Sequence, residues 1–189
     1  MKTTLTKELN GLDSTQLFET VEHIKSQPSL AQFKFRAKNR WINGTVNRST
    51  IKGFYGAGRE DDSRKVAFEY ATDEPPILLG NNEAANTGEF LLHALAGCVT
   101  TSTILHATAR GIKIEAISTE LEGDVDVQGA LGLNDSVPVA FSQIRMNMTV
   151  SADCSTEDLD DLMEFAKSHS PIFNSVSRPV PIQIAWNKR

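Results

Sequence analysis

Cysteine is scarce in this chain of 189 residues: only Cys98 and Cys154 are present. They form no Cys-x-x-Cys pair, and no His-x-x-x-His or Glu-x-x-His spacing accompanies them, so the sequence gives no support for a metal site. A lone disulfide between them is not expected in a reducing compartment. Basic clusters are lacking too. With 19 Lys and Arg against 24 Asp and Glu, the net charge is -5, and nucleic acid is excluded as the main partner. The stretch Met1 to Glu8 has no apolar run of the signal-peptide kind, and no segment reads as long enough to span a membrane. The expectation is a cytoplasmic protein with no membrane partner. Gly56-Ala57-Gly58 is followed by neither Gly-Lys-Ser/Thr nor a helix start, so it is no phosphate-binding fingerprint, and no cofactor is expected. No internal repeat occurs.

What is present is enough for one full-sized core, with or without an appendage. Leu17, Phe18, Val21 and Ile24 recur at helical spacing, with Asp13 as cap and Gln16 as its capping-box partner, and Pro28 ends the helix. This segment, residues 1–31, reads as an accessory helix ahead of a domain at 32–189. From Gln32 the period changes to two. Phe33, Phe35 and Ala37 lead to Trp41 in a half-exposed strand, and Asn43-Gly44 signals a hairpin. A second strand covers about Thr45 to Tyr55, Arg59 to Lys65 is a solvated loop, and Val66, Phe68 and Tyr70 mark a third strand.

Asn86 to Ile112 is different. A capping box of Asn86 and Glu89 opens it, Gly111 closes it, and it is apolar on nearly every side, as a helix buried all round would be. Cys98 lies midway along it. Then follow two long alternating strands, with Ile117, Thr119, Leu121, Gly123 and Val125 on the inner face of the first and Ile144, Met146, Met148 and Val150 on that of the second. The acidic row from Glu120 to Asp126 is the wet face of that hairpin. Ser155 caps an amphipathic helix with Leu159, Leu162, Met163 and Ala166 inward, and Val180, Ile182, Ile184 and Trp186 alternate in a C-terminal strand. Strands grouped around helices indicate α+β with mainly antiparallel sheet. A sheet of about six strands covers one side of the central helix. A homodimer, with two such helices packed together, covers the other.

Leu91-Leu92-His93-Ala94-Leu95-Ala96-Gly97-Cys98, with His106-Ala107 and Arg110-Gly111-Ile112 behind it, resembles the central-helix motif of the OsmC/Ohr family of organic-hydroperoxide reductases. Ser170-Pro171-Ile172-Phe173-Asn174-Ser175-Val176 is similar to that family's second motif, which normally begins Cys-Pro. The resemblance spans roughly Phe33 to Trp186. It implies an OsmC-like fold, mainly antiparallel sheets around two long central helices in an intertwined homodimer, with a thiol peroxidase site at the subunit interface. Cys98 matches the peroxidatic cysteine, and Ser170 occupies the position of the resolving cysteine, so an external thiol reductant is implied. The family's glutamate falls on Gly88. Glu89, one position on, is its candidate here and also serves as the Asn86 capping partner; it stands about 180° around the helix from Cys98. Among the upstream arginines Arg36, Arg48, Arg59 and Arg64, Arg59 is the candidate for the activating cation. His93 and His106 read as core or interface histidines. The expected substrates are small organic hydroperoxides. The alternative is a non-catalytic dimer that binds a small apolar or thiol-reactive ligand at the subunit interface, and a plainer one is a structural dimer whose N-terminal helix docks another protein.

Overall fold

The structure, a computed structural model, describes residues 8–188; the first seven residues of the expected accessory segment lie outside them. The order of elements is β1 (Glu8–Leu9), β2 (Leu12–Asp13), α1 (Ser14–Ser26), β3 (Lys38–Asn43), β4 (Val46–Ile51), β5 (Phe54–Gly56), β6 (Arg59–Asp61), β7 (Phe68–Thr72), α2 (Thr87–Arg110), β8 (Ile114–Val125), α3 (Val127–Ala130), β9 (Phe141–Ala152), α4 (Thr156–Ser168) and α5 (Pro171–Ser177). This is the expected α+β class with small antiparallel sheets. The chain forms two compact units, Asp13–Leu91 and the remainder, dividing within α2.

In the first unit Asp13 caps α1, its carboxylate accepting from the backbone N–H groups of Thr15 and Gln16 at 2.9 and 3.1 Å. The sheet runs β3-β4-β7, all antiparallel, with Gly44 (φ 51°) in the turn that Asn43-Gly44 announced. Gly56-Ala57-Gly58 is a hairpin and not a run into loop: Ala57 and Gly58 both have positive φ, and β5 pairs with β6 across them. Phe33 and Phe35 lie ahead of β3, where one antiparallel bridge joins Lys34 to Tyr55 and the Phe33 ring stacks on Phe54 at 6.3 Å. That packing needs a glycine at 56, because a Cβ there would meet the Phe33 ring at 2.2 Å.

A buried carboxylate ties this unit together. Asp73, 1% exposed, accepts from the Thr45 hydroxyl at 2.5 Å and from the N–H groups of Glu74, Asn81 and Glu83 at 2.8, 3.0 and 3.1 Å. It pins the segment leading into α2 to the β3–β4 turn.

The second unit is built on α2. Leu95, Val99, Ser102, Thr103, Ala107 and Thr108 are buried on one stripe, and Leu162 and Ala166 of α4 complete the core. The helix is therefore not buried all round within one chain. Leu91, Ala94, Gly97, Thr101 and Leu105 form an exposed stripe along its length. Contrary to the sequence reading, α2 is long and apolar enough to cross a membrane, 24 residues with a mean hydropathy of 1.4 over its best window; Thr103 and His106 on it meet Met163 and Phe165 of α4. The β8–β9 hairpin pairs throughout as expected, with Arg145 spanning the acidic face to Glu122 and Asp124. Gly123 admits the Phe141 ring and Leu92. The helix ends at Gly111 (φ 72°), with Ile112 N–H bonded to Ala107 C=O. The Asn10 side chain caps this end: it donates to Thr108 Oγ1 and Ile112 C=O and accepts from Ile114 N–H.

Two further expectations fail. The described residues hold separate ladders of two or three strands instead of one sheet of about six. The C-terminal segment forms no strand, although Val180, Ile182, Ile184 and Trp186 keep the alternation, because a strand exists only when an edge supplies its hydrogen bonds. These four side chains are 52% to 85% exposed.

Asp73 makes the fold acid-sensitive. The Thr45 hydroxyl and then the Glu83, Glu74 and Asn81 N–H groups, acting against burial, hold its carboxyl at about 2 instead of 3.8. Its contribution is complete above the unfolded value and is lost as pH falls through the folded one. The thermal midpoint of wild type is expected to drop between about pH 5 and pH 2 more steeply than that of Asp73→Asn. Equal slopes in a pH series of melting curves would exclude this role.

Candidate functional site

Cys98 lies on α2 beside the buried Val99 and is half-buried. Two donors meet its sulfur: the Ser170 hydroxyl at 3.2 Å and the Ile172 backbone N–H at 3.5 Å. Ser170 is fully buried, and as the N-cap of α5 its Oγ accepts from Phe173 N–H at 3.4 Å. Pro171 begins the helix at the position where a missing N–H costs nothing. The turn that presents Ser170 is held from α2 by Ser102, one helical turn beyond Cys98, whose hydroxyl donates to His169 C=O at 3.3 Å. From the other side Asn174 Nδ2 donates to the carbonyls of Ser168 and Ser170 at 3.0 and 2.9 Å.

Next to this turn is an aromatic cluster. His169 stacks on Phe165 at 3.9 Å, His106 meets the Phe165 ring edge-on at 4.8 Å, and the Arg110 guanidinium lies 4.9 Å over the same ring. His169 Nδ1 is 2.8 Å from Phe165 C=O and 2.9 Å from Ser168 Oγ. His106, reached from α2 and 5.7 Å from the His169 ring, is held below its ordinary 6.5, first by burial and then by His169 and Arg110.

Of the predicted site residues, Cys98 and Ser170 are brought together. Glu89 is engaged in the capping box: its carboxylate accepts from Asn86 N–H at 2.8 Å, while its own N–H donates to Asn86 Oδ1 at 2.8 Å. Arg59 is exposed at the start of β6 and pulls the Asp61 carboxyl down weakly, behind Ser63. Of the other arginines, Arg36 is paired with Glu60 at 2.6 Å, and Arg64 donates to Lys52 C=O while lying over Phe54 and Phe68. His93 is exposed. Among the described residues no three His, Cys, Asp or Glu side chains converge as a metal ion would require. Sequence reasoning missed Ser102, the Ile172 N–H and His169. For Ser102 a signal existed: a small hydroxyl four residues from the thiol lies on the same helix face.

The sequence profile of OsmC-like proteins matches residues 80–185, more than half of the chain and the whole of the Cys98–Ser170 arrangement. The chain belongs to the OsmC-like protein family. Solved OsmC-like folds agree with this. An osmotic stress induced and detoxification response protein from Psychrobacter arcticus 273-4 is 17% identical, with 76% of this chain and 88% of that one covered at a TM-score of 0.56. An OsmC-like protein from Mycoplasma pneumoniae is 14% identical over 76% and 87%, TM-score 0.54. One of unknown function from Vibrio cholerae is 12% identical over 76% and 93%, TM-score 0.53. At such identities the likeness establishes the fold. Among curated proteins none matches.

In this OsmC-like chain the His106 environment predicts a pH effect. The neutral ring is favoured in the fold, so its contribution is complete above the unfolded value near 6.5 and is lost as pH falls through the lower folded one. Nuclear magnetic resonance titration should place His106 below 6.5, and His106→Leu should flatten the stability slope below that pH. A His106 titration at or above 6.5 would refute this.

Proposed function

We propose that this OsmC-like protein reduces small organic hydroperoxides through Cys98, with an external thiol completing the cycle. The observation that carries the reading is the half-buried Cys98 sulfur receiving hydrogen bonds from Ser170 and Ile172. A thiolate is the nucleophile in such chemistry, and donors aimed at it favour its charge. The Cys98 thiolate attacks the distal peroxide oxygen; a sulfur–oxygen bond forms as the O–O bond breaks. The alkoxide leaves and is protonated to the alcohol, and sulfur, oxidised by two electrons, becomes a sulfenic acid. An external thiol then displaces water from it to give a mixed disulfide. A second thiol releases that disulfide and restores Cys98.

The active form in this reading is a homodimer. Its support is the exposed stripe Leu91, Ala94, Gly97, Thr101 and Leu105 on a helix of core composition, together with the exposed Phe35, Trp41, Ile182, Ile184 and Trp186. The two unpaired cysteines fit a cytoplasmic location. The engagement of Glu89 in its capping box favours the second reading, a dimer that binds an apolar or thiol-reactive ligand without turnover.

Consumption of cumene hydroperoxide with a dithiol donor separates the two readings. Wild type should turn over and Cys98→Ser should fall to the uncatalysed background; equal inactivity of both selects the binding reading. For the assembly, light scattering should give the mass of two chains. Gly97→Arg has open space within the single chain and should shift the protein to one chain. A wild-type mass of one chain would sink the dimer.

A further inference from the structure

We infer that Ser170, standing where a resolving cysteine would, is a catalytic hydrogen-bond donor to the Cys98 sulfur, during the attack on the peroxide and then in the sulfenic acid; this rests on the hydroperoxide reading. The direction of the bond follows from the acceptors within reach of the buried hydroxyl. A serine hydroxyl has one proton and two acceptor lone pairs. Phe173 N–H occupies an acceptor position of Ser170 Oγ, and among the described residues Cys98 Sγ, 3.2 Å away, is the one acceptor its proton reaches. The hydroxyl is fully buried, so water does not compete for it. Ile172 N–H supplies a second donor at 3.5 Å, from the same turn. The turn is itself tied to α2, the helix that carries the sulfur, through the hydrogen bond from Ser102 to His169 C=O.

The consequence is a different fate for the oxidised sulfur. A thiol at 170 would attack the sulfenic sulfur, expel water and form a disulfide. The hydroxyl of Ser170 forms no such bond. It keeps the sulfur oriented and leaves the sulfenic acid standing until an external thiol arrives. Ser170 therefore turns a device for rapid internal capture into one for holding the oxidised state.

The test follows Cys98 by mass spectrometry, with Cys154 in the same chain as a control for folding. Wild type exposed to cumene hydroperoxide should give a dimedone adduct on Cys98. Ser170→Ala should slow its formation by about ten- to a hundredfold, the range for one hydrogen bond to a charged group, with alkylation of Cys154 unchanged. Ser170→Thr, which keeps hydroxyl and cap, should retain the wild-type rate, and this separates the donor from mere packing. Ser170→Cys should lose the adduct and gain an intramolecular disulfide to Cys98. A wild-type rate in Ser170→Ala, or equal slowing in the alanine and threonine variants, overturns the role of Ser170 and leaves the hydroperoxide reading intact. Absence of any Cys98 oxidation in wild type overturns that reading and the role together.

Discussion

The second unit depends on a seam of small and medium side chains between α2 and α4. Leu95, Val99, Thr103 and Ala107 supply one side, Leu162 and Ala166 the other, and all six are essentially inaccessible. Burying a leucine or valine of this kind contributes about 1.5–3 kcal/mol. The threonine is accommodated because its hydroxyl bonds back to Val99 C=O at 3.0 Å. The turn after α4 is tied to α2 by the hydrogen bond from Ser102 to His169 C=O, and it brings Ser170 to Cys98.

Most of the local structure was legible in the sequence because local rules produce it. Asp13, Ser155 and the Asn86–Glu89 pair cap the helices they announce, and Gly111 closes α2. Long alternation gave β8 and β9. Legibility failed where pattern and partner separate. Val180 to Trp186 carries a strand pattern with no ladder, and Phe33 and Phe35 alternate ahead of β3 as an aromatic stack. The pattern records which faces are apolar, not where an edge will be found. The hairpin at Ala57-Gly58 was missed because an alanine with positive φ has no signal of its own; here the tight pairing of β5 and β6 imposes it.

The site was half legible. Family resemblance singled out Cys98 and Ser170, which are far apart in sequence, and the fold puts them in contact. Glu89 shows the opposite case: the same residue matched a chemical motif and a capping motif, and the capping geometry is the one observed. Ser102 and the Ile172 N–H escaped notice because one is a common residue type and the other a backbone group. A sequence states a backbone donor only through the turn that aims it.

The contact between Asn10 and the end of α2 bears on how the chain assembles. One side chain joins Thr108, Ile112 and Ile114, sequence separations of 98, 102 and 104 residues. During synthesis Asn10 emerges early and waits while the whole first unit is made. The first unit closes on its own sequence-local hairpins, whereas completion of the second requires the chain to return to its beginning. In sequence the first unit is complete at Leu91, whereas the second needs both Asn10 and the last helix, α5.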